Sequence, residues 1–250
     1  MIDAVIVGGG AGGFFAAAVL GEAAPGRRIL ILEKGADVLA KVRLSGGGRC
    51  NVTHACFDPP QLVTRYPRGG DALRGPLTRF QPQDTMDWFE ARGVRLKVEE
   101  DGRVFPVSDR SATIVECLKD AAARAGTVVR TRTTVADIHR SESGFDVILT
   151  DGEKIPCRRL LLTTGGDRRP LEWSRALGHR IVVPVPSLFS FHVPQDKRLQ
   201  GLAGVSVEDA WVGLQGSTWR QRGPLLVTHV GLSGPAVLKL SAWGARDFHD

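Results

Sequence analysis

The start of the chain alternates apolar runs with a glycine-rich turn and a segment of helical composition. Residues 4–7 form one apolar run, and residues 28–33 contain a second, Ile-Leu-Ile-Leu. Short continuous apolar runs are typical of strands buried on both faces of a parallel sheet. Residues 14–20 lie between them and favour a helix. The order strand, helix, strand predicts a βαβ unit.

Beyond residue 34 the pattern predicts loops first and regular structure afterwards. Residues 35–83 are rich in Gly, Pro and Arg and show little periodicity, so we expect long loops over the sheet. The pattern then predicts helices over 84–92, 112–125 and 170–177, a hairpin over 94–105 turning at Asp101-Gly102, and strands over 127–131, 133–138, 144–150 and 160–163.

Two prolines within three residues, Pro184 and Pro186, predict a domain boundary because they interrupt helix and strand alike. We therefore expect an α/β nucleotide-binding domain over residues 1–186 and the start of a mainly β domain over residues 187–250. Within the second domain, residues 187–193 and 205–214 are predicted strands of a mostly antiparallel unit, and residues 235–243 are a predicted helix.

Composition indicates an ordinary globular protein. The 250 residues are 42% hydrophobic and 24% charged, and 33 basic against 27 acidic residues give a formal net charge of +6. The excess is dispersed in pairs such as Arg27-Arg28, which indicates solvated faces and some anion affinity. With one tyrosine and no basic stripe interleaved with aromatics, we expect a small-molecule substrate and no nucleic acid. The sequence does not indicate an oligomeric state.

The cysteines and the apolar start of the chain bear on compartment. The four cysteines show no C-x-x-C spacing and no histidines at metal-ligand intervals, so we expect reduced thiols and no metal site. The apolar stretch over residues 4–20 is interrupted by glycines and follows Asp3 instead of a basic region. We therefore expect a cytoplasmic protein without membrane insertion.

The glycine turn is the sharpest motif. Gly8, Gly10 and Gly13 satisfy G-x-G-x-x-G between a strand and a helix, and Glu33 follows twenty residues later at the end of the second strand. The helix N-terminus then offers unpaired N–H groups and partial positive charge to a diphosphate. Glu33 is placed to accept from a ribose hydroxyl, which disfavours a 2′-phosphate. This spacing suits FAD and NAD equally.

A second glycine-rich stretch, Ser-Gly-Gly-Gly-Arg-Cys-Asn over residues 45–51, follows Lys41. Three adjacent glycines can present backbone N–H groups as an anion nest, with Lys41 and Arg49 adding positive charge. A mobile surface loop is an equally good reading of this composition. Cys50 has no resolving cysteine nearby, so a structural thiol is favoured over a redox thiol.

At these residues the chain resembles the BaiN-like (YhiN-like) flavoproteins, also described as aminoacetone oxidase family FAD-binding enzymes. The resemblance covers the whole chain and rests on VIVGGGAGG at 5–13, LEKG at 32–35, KVRLSGGGRCNVTH at 41–54, GRVFPVSDR at 102–110, TTGGDRRP at 163–170, LGH at 177–179 and THVGLSGPA at 228–236. It implies a Rossmann-like FAD/NAD(P)-binding domain of the glutathione-reductase type, with an inserted, mainly β domain that is incomplete here.

The resemblance also implies the cofactor contacts. Its implied FAD-binding residues are Gly8, Gly10, Ala11, Gly12, Gly13, Glu33, Lys34, Lys41, Ser45, Gly46, Gly47, Arg49, Cys50, Val135, Thr164, Gly165 and Gly166. Two features depart from the family. The Asp-Arg-Arg-Pro segment after Gly166 is shorter than the loop of many members, and relatives continue further and return to complete the first domain beside the flavin ring. We therefore expect an exposed apolar patch at Val237, Leu238, Leu240 and Trp243.

The expected function is that of an FAD-dependent oxidoreductase, which passes hydride between a small organic substrate and flavin with NAD(P)H or oxygen as second partner. Two alternatives stay open: an NAD-dependent dehydrogenase, and a non-catalytic cofactor-binding fragment. The sequence identifies no catalytic residue, and structural roles are favoured for His179 and His229.

Overall fold

The computed structural model describes residues 1–193 and 196–249, so Pro194, Gln195 and Asp250 of the predicted second domain lie outside it. The chain forms two units. Unit 1 comprises Met1–Thr64 and Asp71–Ile181, and unit 2 comprises Arg65–Gly70 and Val182–Asp250.

The elements follow one another in this order along the chain. The strands are β1 (Ile2–Val7), β2 (Ile29–Leu32), β3 (Thr53–His54), β4 (Leu96–Val98), β5 (Arg103–Pro106), β6 (Val128–Arg130), β7 (Val135–Ser141), β8 (Gly144–Leu149), β9 (Lys154–Leu162), β10 (Phe191–His192), β11 (Ser206–Gly213), β12 (Arg220–Thr228) and β13 (Gly231–Ser233). The α-helices are α1 (Ala11–Ala23), α2 (Ala40–Leu44), α3 (Pro59–Val63), α4 (Gly70–Arg79), α5 (Pro82–Glu90), α6 (Ser111–Arg124), α7 (Arg169–Ala176) and α8 (Pro235–Trp243). Short 3₁₀ turns cover Ser45–Gly48 and Lys197–Leu199.

Unit 1 is built on a six-stranded sheet with the order β6-β2-β1-β9-β8-β7. The strands β6, β2, β1 and β9 are parallel, whereas β8 and β7 continue the sheet antiparallel. The apolar run of β2 is buried along its whole length, as expected for a strand inside a parallel sheet. A separate three-stranded sheet joins β3, β5 and β4.

Helices cover the faces of the large sheet according to strand alternation. Ile6 and Ile31 pack on one face with Phe14 of α1 and Leu118 of α6. Val5, Leu30 and Leu32 point to the opposite face, where they pack with Val147 and Trp173. Each buried side chain of this size stabilises the fold by roughly 1.5–3 kcal/mol, so the two clusters fix the sheet between its layers.

Most elements of unit 1 follow the predicted pattern, and two segments differ. Residues 35–83 are not continuous loop, because α2, α3 and α4 lie within them, and α4 contains Pro76 in its interior. Strand β9 starts at Lys154, earlier than the pattern indicates, and includes Pro156. Pro156 pairs with Asp146 of β8, but pairing of β9 with β1 starts only at Cys157, so the missing N–H of Pro156 lies where no β1 partner is needed.

Unit 2 contains a four-stranded antiparallel sheet with the order β10-β13-β12-β11. Strand β12 contains Gly223-Pro224. Because glycine and proline are unfavourable inside strands, the sequence pattern does not predict β12. The pairing of β11 with β12 shifts register between Val207 and Ala210, beside Pro224, and this irregularity accommodates a residue that cannot donate to the ladder.

Two further expectations for unit 2 are corrected. The strand expected over residues 187–193 is limited to Phe191–His192, because Leu188 has a left-handed backbone conformation with φ 57°. Helix α8 has the predicted bounds, but the expected apolar patch is wrong at Val237 and Leu240, which are only 1% and 4% exposed within this chain. Leu238 and Trp243 are half-buried. Among the described residues, no helix is long and apolar enough to cross a membrane.

Arg68 ties the segment 65–70 to the end of α8 within unit 2. Its guanidinium donates from Nη2 to the Ala242 carbonyl at 2.7 Å and from Nη1 to the Trp243 carbonyl at 3.2 Å. These carbonyls belong to the last turn of the helix, which has no intrahelical partners for them. A charged donor at this end also complements the helix dipole.

We predict that Arg68→Ala lowers the free energy of unfolding of unit 2 by roughly 1–2 kcal/mol, because two charge-assisted hydrogen bonds are lost. Urea unfolding followed by tryptophan fluorescence measures the change. Arg65→Ala is the matched control, since the Arg65 side chain is exposed in the same segment. Equal destabilisation by both variants would contradict the role of Arg68.

Candidate functional site

Three loops meet at the carboxyl ends of neighbouring parallel strands. Val7, the last residue of β1, pairs with Leu32 on one side and Leu162 on the other, so β1, β2 and β9 end level with one another. The glycine turn follows β1, Glu33 follows β2, and Thr163 follows β9. Ligands of open α/β sheets bind in this position, outside the carboxyl ends of the strands.

Gly8 and Gly13 bring the glycine turn and the β9 loop into close contact. A Cβ at Gly13 would lie 2.2 Å from the Gly8 carbonyl oxygen, a separation that no side chain tolerates. Gly8 has φ +114°, and a Cβ there would lie 2.6 Å from the Thr163 carbonyl oxygen. The Thr163 hydroxyl donates to the carbonyl oxygens of Gly8 and Val7, at 2.8 and 3.1 Å. The turn is therefore held rigidly against β9.

The N-terminus of α1 opens into solvent-accessible space. Gly10 is its N-cap, no side chain caps the helix, and its first turn contains no acidic residue. A Cβ at Gly10 would meet no heavy atom within 4 Å, and Gly10, Ala11 and Gly12 all line a cavity. The first N–H groups of a helix have no intrahelical partners, so this end can bind an anion.

Glu33 is held at the edge of the same cavity by two backbone amides. Its Oε2 accepts from the Gly9 N–H at 2.8 Å, and its Oε1 accepts from the Gly35 N–H at 2.7 Å. An ionised carboxylate has about four acceptor positions, so two remain for ligand hydroxyls. The two amides fix the orientation of the carboxylate before any ligand arrives.

The cavity has a volume of about 1100 Å³, slightly above the range of about 300 to 1,000 Å³ typical of small-molecule pockets. The glycine turn and Glu33 line it together with apolar side chains, among them Val42 and Phe89. The predicted site residues that line it are Gly8, Gly10, Ala11, Gly12, Glu33, Lys34, Lys41, Ser45, Cys50, Thr164, Gly165 and Gly166.

The other predicted site residues lie elsewhere. Gly13 is buried behind the turn, and Val135 lines a smaller neighbouring cavity of about 60 Å³, which also includes Glu33. Gly46 packs close to Phe105, since a Cβ on Gly46 would lie 2.8 Å from that ring. Gly47 is exposed and does not line the large cavity. These residues therefore shape the site's surroundings.

Arg49 interacts with the hairpin of β4 and β5 and does not line the cavity. Its Nη1 donates to Glu99 at 2.5 Å and to Asp109 at 3.4 Å, and its guanidinium carbon lies 3.9 Å from the centre of the Phe105 ring. The hydrogen bond to Glu99 raises the pKa of Arg49. Arg49 thus anchors the glycine loop to the hairpin.

Cys50 lines the cavity as a buried thiol. Its backbone is left-handed with φ 63°, and its side chain is 5% exposed. Burial raises the pKa of Cys50, so the thiol is protonated at neutral pH. This environment agrees with a structural thiol and gives no support to a nucleophile.

Some residues that line the cavity, Asp167 among them, are not predicted from the sequence. Lys34 Nζ donates to Asp167 Oδ2 at 2.6 Å, and this hydrogen bond lowers the pKa of Asp167. The two residues are 133 positions apart, so only the fold brings them together. The apolar wall was missed for the same reason; it includes Phe15, Leu39, Val52, Phe80, Ile114 and Leu118.

Two protein-family models match the chain. Residues 2–205 match the model described as HI0933-like protein Rossmann domain, and residues 185–250 match the HI0933-like protein barrel and H2TH domain. The chain belongs to the HI0933-like family. This membership confirms the resemblance to the BaiN-like (YhiN-like) flavoproteins.

Two curated relatives of this HI0933-like chain align over almost all of it. The ribosomal RNA dihydrouridine synthase of Escherichia coli (strain K12) is 34% identical over 98% of this chain and 62% of the relative. The 3-dehydro-bile acid delta(4,6)-reductase of Clostridium scindens is 28% identical over 98% of this chain and 61% of the relative. The chain thus spans about three fifths of the length of these relatives.

A solved structure supports the fold of the HI0933-like chain. The crystal structure of Thermovibrio ammonificans THI4 superimposes with a TM-score of 0.51 at 15% identity, covering 96% of this chain and 78% of that one. At this identity the likeness concerns the fold alone. Together with the family match, it confirms the predicted α/β, Rossmann-like fold of the FAD-binding type.

We predict that the two glycines of the turn respond differently to alanine. Gly13→Ala lowers the free energy of unfolding by at least about 3 kcal/mol, because the methyl group overlaps the Gly8 carbonyl oxygen. Gly10→Ala lowers it by less than about 1 kcal/mol, since Gly10 has φ −88° and open space beside it. Thermal unfolding of both variants measures the difference, and equal losses would sink this description of the turn.

Proposed function

We propose that the protein binds FAD in the large cavity of unit 1 and acts as an FAD-dependent oxidoreductase. The observation that carries this proposal is the convergence of the uncapped N-terminus of α1, the Glu33 carboxylate and two cationic side chains on one cavity. Lys41 and Arg168 line it, and neither forms a salt bridge within the part of the chain that the structure describes. Their charges are therefore available to a diphosphate.

The residues fit the cofactor at three points. The amides of Gly10, Ala11 and Gly12 suit the diphosphate, and Glu33 suits the ribose hydroxyls of its adenosine half. The same cavity is lined by Cys50 and by apolar side chains, which suits a large ligand with an aromatic ring system. When bound, FAD supplies reversible two-electron chemistry through its isoalloxazine ring.

Family membership favours FAD over NAD, whereas the glycine motif and Glu33 do not distinguish the two cofactors. Glu33 and the glycine turn serve either cofactor, so an NAD-dependent dehydrogenase has the same support from these residues. Membership of the HI0933-like family favours the flavin. NAD(P)H then belongs to the proposal as the electron donor, in agreement with the reductive reactions that the relatives' names describe.

We propose further that the reaction is reduction of a carbon–carbon double bond. Dihydrouridine is uridine with a saturated ring double bond, and a delta(4,6)-reductase by its name acts on carbon–carbon double bonds. Uridine in RNA is the first candidate substrate, because the dihydrouridine synthase is the more similar of the two relatives. This proposal departs from the small-molecule, nucleic-acid-free expectation drawn from composition.

A small unsaturated carbonyl compound is the second candidate substrate. The bile acid reductase supports it at 28% identity, and the apolar wall of the cavity suits a hydrophobic molecule. In either case the chain's own part is to hold the cofactor, to orient the ribose through Glu33 and to exclude water with the apolar wall.

We predict that the protein discriminates against adenine nucleotides with a 2′-phosphate, because the Glu33 carboxylate repels a second anion. In a calorimetric titration, ADP binds more tightly than its 2′-phosphorylated form, and Glu33→Gln reduces this ratio roughly tenfold. The ratio is insensitive to a partial loss of folded protein. Glu116→Gln is the matched control, since this exposed glutamate of unit 1 does not line the cavity. An unchanged ratio in Glu33→Gln would count against the ribose assignment.

We predict that FAD-loaded protein, reduced anaerobically with NADH or NADPH, converts uridine in RNA to dihydrouridine. Mass spectrometry of the nucleosides after digestion detects the gain of two hydrogen atoms. The same assay with a conjugated steroid enone tests the second candidate. Reduction of the enone without any change in RNA would select the small-molecule substrate, and rapid oxidation of NAD(P)H without FAD would favour the dehydrogenase alternative.

A further inference from the structure

The ribbon of β11 and β12 in unit 2 carries an exposed tryptophan. Trp211 is 69% exposed, although tryptophan is usually among the more buried residue types. It pairs across the ribbon with Arg222, whose guanidinium carbon lies 5.9 Å from the centre of a Trp211 ring. An aromatic ring and a guanidinium thus lie side by side on one surface.

This surface is the face of the ribbon opposite α8. Successive side chains of a strand point to opposite faces of the sheet. Gly223 faces the helix, since a Cβ there would lie 3.9 Å from the Ala236 side chain, and Val227 on the same side is buried. Arg220 and Arg222 alternate with these residues and are exposed on the other side.

The two arginines of this face differ in whether an acidic residue already pairs with them. Arg222 is paired with Asp209, with Nε 2.7 Å from Oδ1. Arg220 forms no ion pair within residues 1–193 and 196–249, and a Cβ on Gly213, its cross-strand partner, would lie 3.4 Å from the Arg220 side chain. The stem of Arg220 therefore occupies the space above Gly213 and leaves its guanidinium free. Glu208 is the other acid of β11 and is exposed.

We propose that this face, defined by Trp211, Arg220 and Arg222, binds single-stranded RNA. An exposed ring with neighbouring guanidiniums offers a base a stacking surface and offers the backbone positive charge. The nearest neighbours of Trp211 on this face include Asp209, Gly213 and Arg222. Pro224 and Leu226 follow on the same face of β12 and are exposed, but charged groups adjoin the ring itself, where a protein interface would have its apolar centre. The inference rests on the proposed function, because it supplies a contact surface for an RNA substrate.

The test is fluorescence anisotropy with a labelled, uridine-rich single-stranded RNA oligonucleotide and the full chain. Trp211→Ala weakens binding roughly tenfold or more, because base stacking is lost, whereas Trp211→Phe retains most of the affinity. Arg220→Ala weakens binding and lowers the slope of log affinity against log salt by about 1. Asp209→Asn tightens binding, since it releases Arg222.

The matched control is Arg198→Ala, which removes an exposed arginine of unit 2 that pairs with Asp196 outside the ribbon. It leaves RNA affinity unchanged. Circular dichroism confirms that each variant is folded. The inference is overturned if Trp211→Ala binds RNA like the parent protein, or if the parent does not bind the RNA at low salt. It is also overturned if the parent sediments as a dimer and Trp211→Ala as a monomer.

Two readouts separate this inference from the proposed function. FAD uptake, measured by visible absorption, is unchanged in Trp211→Ala, since the cavity residues all belong to unit 1. If the parent protein takes up FAD but does not bind the RNA, the surface alone is refuted. Binding of RNA through Trp211 without formation of dihydrouridine refutes the proposed reaction and leaves the surface standing.

Discussion

The close approach of α1 to the end of β1 is the constraint on which the site depends. The Gly13 backbone lies against the Gly8 carbonyl, so the helix begins at the strand end with no side chain between them. The Thr163 hydroxyl, which donates to two carbonyls of the same turn, locks the β9 loop onto it. Because the turn is rigid, the helix N-terminus and Glu33 are oriented before a ligand binds, and little conformational entropy is lost on binding.

The parts of the fold that sequence predicts are those that local chemistry determines. The runs of β1 and β2 are apolar on both faces, and Glu33 follows at a fixed spacing. The βαβ unit and its acidic residue are therefore predicted from the sequence. Strand β9 is predicted only in part and strand β12 is not predicted, because each contains a proline. The proline is accommodated by strand pairing that the sequence does not show. Arg49 is a predicted cofactor residue, and its hydrogen bond to Glu99, fifty positions away, is a contact that the sequence does not show.

Long-range assembly also explains the difference between composition and the proposed partner. The sequence contains no basic stripe interleaved with aromatics. Antiparallel pairing places Trp211 beside Arg222 from another strand, so such a surface arises in three dimensions without a linear motif. In the same way, Lys34 and Asp167 are 133 positions apart in the sequence and meet at the cavity.

Amide chemical shifts measure the central claim most directly, since it concerns backbone N–H groups at the start of α1. Titration of FAD into ¹⁵N-labelled protein should shift the amide resonances of Gly10, Ala11 and Gly12 together with that of Gly9, which donates to Glu33. Stoichiometric FAD binding that leaves these four resonances in place would contradict the account, because the diphosphate would then lie elsewhere.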